Sequence, residues 1–136
     1  MKPFALLLIV PLAACGLSDA GVRGNRAQTR LTEALESKVA GTPQRCLPRH
    51  RRTDQQIVDR NTILFREGSD TVYRNDPPGG CGGLDPTRTL LIESVTGGQI
   101  CRGDFVRVLD QVTGTTVGAC AFSDFIPYRQ PGSQGT

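Results

Sequence analysis

The sequence predicts a mainly β domain: a small antiparallel sheet, or a partly open barrel, of about five strands, with one N-terminal amphipathic helix and two disulfides. Three observations carry this expectation. From Thr62 onward, short β-branched and aromatic runs alternate with Gly, Asp and Ser turn signals. Only one stretch, between Ala27 and Val39, repeats apolar residues at helical spacing. Of the 5 cysteines, Cys15 belongs to an N-terminal signal, which leaves Cys46, Cys81, Cys101 and Cys120 as an even set in an exported chain. With 5 phenylalanines, 2 tyrosines and no tryptophan the core is modest, so covalent staples support it.

Residues 1–14 read as a lipoprotein-type signal peptide. Met1 and Lys2 form a basic start, Phe4 to Val10 an apolar centre, and Leu12-Ala13-Ala14-Cys15-Gly16 resembles the lipobox of bacterial lipoproteins. In such proteins the cysteine thiol is alkylated with diacylglycerol and becomes the new N-terminus. The apolar stretch is shorter than the about 20 residues a spanning helix needs. An ordinary secretory site needs small residues at its end but no cysteine after them. Several acyl chains on Cys15 would anchor the protein stably, each buried CH₂ contributing about 0.8 kcal/mol. Gly16 after the cysteine is compatible, in the lipoproteins it resembles, with transfer to the outer membrane. The expected location is therefore the periplasmic face of that membrane.

Residues 15–26, small, polar and glycine-rich, read as a flexible tether. A single domain follows over residues 27–128. Its helix is expected over 27–40, with Ala27, Leu31, Ala34, Leu35 and Val39 on one face and Gly41 and Pro43 ending it. The β part is expected over 43–128. Thr62–Arg66 and Thr71–Arg74 form a hairpin about Glu67-Gly68-Ser69-Asp70, and Thr89–Val95 turns at Thr96–Gln99. Phe105–Asp110, Thr116–Phe122 and Phe125–Tyr128 follow as further strands, and residues 129–136 read as a disordered tail. If Thr96–Gln99 is a tight turn, Cys101 lies at the mouth of that hairpin. The loop from Pro77 to Pro86 then folds over it, giving the expected pairs Cys81–Cys101 and Cys46–Cys120.

No catalytic constellation stands out. Arg45, Arg49, His50, Arg51 and Arg52 form the densest basic stretch, a candidate contact for lipid or polymer anions; a solvated loop balanced by Asp54 and Asp59 is the competing reading. Gly79–Gly83 lacks the Gly-Lys-Ser/Thr ending of a phosphate loop and reads as unusual backbone around Cys81. Arg102-Gly103-Asp104 spells an adhesion tripeptide without supporting context. The carboxylates Asp59, Asp70, Asp85, Glu93, Asp104, Asp110 and Asp124 would need two members facing across a cleft to act as a hydrolytic pair. No G-x-S-x-G or C-x-x-C occurs, and the cysteine spacing with a lone histidine, His50, does not suit zinc. The expectation is no metal, no cofactor and no catalytic residue. The formal charge of +3 neither calls for nor excludes nucleic acid, and export argues against it.

The segments Arg45-Cys46-Leu47, Asp59–Arg66, Cys81, Ile100-Cys101-Arg102-Gly103-Asp104 and Gly118-Ala119-Cys120 resemble an uncharacterised family of small exported and lipoprotein-like proteins of Gram-negative bacteria, a domain of unknown function. The resemblance spans residues 43 to 128 and implies the four-cysteine framework, with no activity attached. The functional expectation is a lipid-anchored envelope protein acting as a non-enzymatic binding or structural module. Its partners would be the membrane, through the anchor, and an envelope polymer or protein. The alternatives are a small envelope hydrolase using the carboxylates, and an accessory or inhibitor protein presenting an apolar patch or open sheet edge.

Overall fold

A computed structural model of the chain describes residues 19–48 and 53–133. The Leu12–Cys15 signal, including the lipidation assigned to Cys15, and the basic residues Arg49, His50, Arg51 and Arg52 lie outside the described residues.

The element order is one helix followed by eight strands: α1 (Asp19–Leu35), β1 (Val39–Ala40), β2 (Asp54–Ile57), β3 (Ile63–Glu67), β4 (Thr71–Asn75), β5 (Thr89–Glu93), β6 (Phe105–Leu109), β7 (Thr116–Ala121) and β8 (Ile126–Arg129). They build two antiparallel sheets, one ordered β1-β8-β4-β3-β2 and one ordered β5-β6-β7. The fold is mainly β, with the expected helix and two disulfides, and it is not a closed barrel.

Ile63-Leu64-Phe65 explains the layering. A continuous apolar run on a strand signals burial on both faces, and all three side chains are fully buried. Leu64 and Val72 face α1 and pack with Ala27, Leu31, Ala34 and Leu35. Ile63, Phe65 and Tyr73 face the second sheet and pack against Val106, Val108, Leu90 and Ile92. Phe65, Phe122 and Phe125 meet at the centre with ring centroids 5.5 to 5.6 Å apart, within the favourable range for tilted aromatic contacts. The five-stranded sheet is thus the middle layer, between the helix and the smaller sheet.

Several boundaries differ from the sequence expectation. Residues 19–26, expected as tether, are the first turns of α1. Gly21 and Gly24 each disfavour helix by about 1 kcal/mol, but a helix already docked through its second half propagates cheaply, one hydrogen bond per residue added. The helix ends at Leu35 rather than near residue 40. Ser37 takes a left-handed conformation (φ 60°), and Lys38 N–H donates to Leu35 O at 3.1 Å, which sends Val39 into β1. At the other end, Arg129 belongs to β8 and pairs with both Thr71 and Val39. Gln130 N–H reaches Asp70 O, so the expected disordered tail is a turn as far as Ser133.

The disulfides connect Cys46 with Cys101 and Cys81 with Cys120, the pairing opposite to the one expected. The error lies in the β5–β6 connection. It is a loop from Ser94 to Asp104 rather than a tight turn, because β6 begins only at Phe105 opposite Glu93. Cys101 is thereby presented to the 44–48 segment, where Leu47 N–H donates to Ile100 O at 2.8 Å and Arg102 N–H to Arg45 O at 2.7 Å. These two bonds frame Cys46 against Cys101 as an antiparallel bridge. Cys81 instead sits on the inward side of β7. The 79–83 loop lies directly on that strand, and a side chain on Gly118 would run into the Gly82 carbonyl oxygen. Only glycine permits that approach.

Candidate functional site

Of the candidate carboxylates only Asp59 and Asp85 line a common groove; the others stand apart. Asp59 accepts the backbone N–H groups of Asn61 (2.7 Å) and Thr62 (2.9 Å) and shapes the turn before β3. Glu93 pairs with Arg107 on the outer face of the small sheet. Asp110 pairs with Arg88 and caps the β6–β7 turn through the N–H groups of Val112 and Thr113. Asp124 pairs with Arg102, and Asp70 accepts from Ser69. Asp104 is fully buried. Its carboxylate accepts Cys101 N–H at 2.7 Å and Val95 N–H at 3.1 Å, closing the 94–104 loop from within. An adhesion tripeptide must present its aspartate outward, so the Arg102-Gly103-Asp104 match is structural.

The glycine-rich loop around Cys81 likewise has a structural task. Gly80 and Gly83 adopt positive φ (77° and 70°), Gly80 packed against Arg60 and Asn61 before β3 and Gly83 against Val117 of β7. Among the described residues no three His, Cys, Asp or Glu side chains cluster as metal ligands, and no helix is long and apolar enough to cross a membrane. Arg45, the one described member of the basic stretch, is exposed. On the outer face of the small sheet Leu91, Phe105 and Val117 remain 41 to 48 % exposed, interrupted by the Arg107–Glu93 pair.

The concave feature with a distinct chemistry lies elsewhere, under the overhanging first half of α1. A groove of about 690 Å³ runs between that half-helix and the loops at 58–60 and 84–87. Arg23, Arg26 and Arg30 line one wall and Arg60 the other, with Val58, Leu84 and Pro86 among the floor and rim residues. The three helical arginines stand at i, i+3 and i+7, a spacing that puts them on one face. A second depression of about 440 Å³ shares Arg30 and Pro86 and extends to Arg88, Gln55 and Gln111.

Two carboxylates also reach the groove, and both are engaged locally. Asp59 serves its turn as described. Asp85 accepts the Thr87 hydroxyl and backbone N–H and pairs with Arg88 at 3.3 Å. The Thr87 hydrogen bonds, aided by the Arg88 charge and working against burial, hold its carboxyl below the usual carboxylate value. Both carboxylates are locally bonded, and the four guanidinium groups outnumber them, leaving the groove net positive.

The arginine line was within reach of sequence reading. Its signal, Arg23-x-x-Arg26-x-x-x-Arg30, is plain once residues 19–26 are helical, and the tether assignment concealed it. The contribution of Arg60 has no local signal, since the tertiary fold alone brings its loop to α1.

The chain matches no family model, no curated protein and no solved structure. The two disulfides place it outside the reducing cytoplasm.

Proposed function

We propose that this protein is a lipid-anchored component of the bacterial cell envelope, tethered through Cys15 and acting as a non-enzymatic binding module. Membership of the small exported family that its cysteine framework resembles is part of this proposal. The observation that carries the reading is the use made of the acidic groups. Glu93, Asp104 and Asp110 stand apart, each tied to backbone donors or to an arginine. The two carboxylates that share a groove, Asp59 and Asp85, are each taken up by the N–H groups of their own turns, whereas a hydrolytic pair needs two free carboxyls facing one cleft. The anchor is supported by the Leu12-Ala13-Ala14-Cys15 pattern and by the disulfides of an oxidising compartment. Only Gly16, Leu17 and Ser18 separate Cys15 from α1, so an anchored domain sits close to the bilayer with its helix nearest.

The test is metabolic labelling with an alkyne fatty acid, followed by a high-salt wash of the membranes. Label on the wild-type chain, absent from Cys15→Ser, together with salt-resistant retention is expected. An unlabelled wild-type chain that leaves the membranes would overturn the anchor.

A further inference from the structure

The arginines of this protein fall into two populations. The chain carries 14 arginines and only 2 lysines. On the β layers most of the described ones are bonded: Arg66 to Gln56, Arg74 to Asp76, Arg88 to Asp85 and Asp110, Arg102 to Asp124 and Arg107 to Glu93. In the groove the position is reversed. Among the described residues none accepts a hydrogen bond or ion pair from the guanidinium of Arg23, Arg26, Arg30 or Arg60, although Asp59 and Asp85 line the same groove. Four guanidinium groups against two carboxylates that are engaged by their own loops leave the groove with an excess of positive charge, which a bound anion would offset.

We propose that this groove is a binding site for a phosphate-bearing anion. This deepens the binding-module reading and rests on it, while standing independently of the lipid anchor. Guanidinium groups present paired N–H donors in a planar fork that matches two oxygens of a phosphate, which ammonium groups do not. Arg23 and Arg30 lie about 10 Å apart along the helix axis, at about 1.5 Å rise per residue. The wall therefore offers successive forks to a ligand with several phosphate groups, with Arg60 closing from the opposite side. Buried Val58 and Leu84 add apolar lining to the groove, beside which an anion's contacts are less screened than on a convex surface. The same chemistry is available from a soluble polyphosphate or from the headgroups of an anionic lipid.

The experiment uses the full chain in nonionic detergent, with inorganic tripolyphosphate as the soluble probe and mixed micelles containing phosphatidylglycerol as the lipid probe. Binding to at least one probe is expected, and the probe that binds identifies the source of the phosphate. Arg26→Gln and Arg30→Gln should each weaken binding about tenfold, as loss of a charge-assisted hydrogen bond predicts. Raising salt from about 50 to about 300 mM should weaken it as well. Arg107→Gln, on the far sheet, should leave affinity unchanged, and circular dichroism should show α1 intact in all variants. Equal loss from Arg107→Gln would mean that binding follows overall charge, and would overturn the site. Failure of both probes would also overturn it, while acyl labelling of Cys15 would still judge the anchored-module reading separately.

Discussion

Replacing Asp104 with alanine should destabilise the domain by about 3 kcal/mol, through a loss that can be followed bond by bond. The carboxylate is fully buried and holds two backbone donors, Cys101 N–H at 2.7 Å and Val95 N–H at 3.1 Å. A buried donor left without a partner costs about 1–3 kcal/mol. The two donors do not count equally. Cys101 is 3 % exposed, so water cannot replace the lost acceptor there, whereas Val95 is 84 % exposed and its N–H can turn to solvent. The Cys101 bond therefore dominates, and a figure near the top of the single-donor range follows. Asp104→Asn keeps one amide oxygen for Cys101 N–H and should cost only about 1 kcal/mol. The backbone bonds of residue 104, N–H to Cys101 O and O to Phe122 N–H, survive in both variants. Equilibrium urea unfolding with the disulfides intact gives the two values, and amide exchange at residues 95 and 101 locates the change. An alanine variant within about 0.5 kcal/mol of wild type, the range of an ordinary surface substitution, would show that the Asp104 carboxylate does not hold the loop.

Other consequences follow from the packing and from ionisation. Gly118→Ala would drive its Cβ into the backbone carbonyl of Gly82, which cannot swing aside as a side chain could. It should cost more than about 2 kcal/mol, while Gly82→Ala, with open space around it, should leave the melting temperature unchanged; similar values for both would contradict the close approach. The Tyr73 phenol donates to Glu67 Oε2 at 2.8 Å, and burial, reinforced by the Glu67 charge, raises its pKa above the ordinary value near 10. Its folded pKa exceeds its unfolded one, so above about pH 10 the unfolded chain binds fewer protons and stability falls as pH rises through the folded value. Ultraviolet titration should show a phenol ionising late, and Glu67→Gln should bring it down; no change in that variant would remove Glu67 as a cause.

Much of the β architecture was legible in short-range pattern. The hairpin of β3 and β4, with Gly68 at positive φ (59°) in its turn, follows from two β-branched runs around a turn signal. β5, β6, β7 and β8 were found within a residue or two by the same logic. β2 was not, because Asp54-Gln55-Gln56 carries polar side chains on a sheet edge, where backbone pairing rather than burial sustains the strand. The layering was partly legible in Ile63-Leu64-Phe65, whose unbroken apolar run needs covering on both faces. The disulfide pairing was not, since it depends on how the long 94–104 loop folds around buried Asp104, a contact invisible to spacing. The groove was half legible: one wall is a helical arginine line, and the other wall exists only once the fold is made.

The proposed anchoring has a disulfide-stapled domain held at a membrane through lipidated Cys15. Intact-mass analysis of the protein from membranes, alkylated before and after reduction, tests both halves at once. The expected product is a chain beginning at Cys15 and carrying diacylglycerol. No thiol should react before reduction, and Cys46, Cys101, Cys81 and Cys120 should all react after it. An unacylated chain, or one whose cysteines are alkylated without reduction, would contradict it.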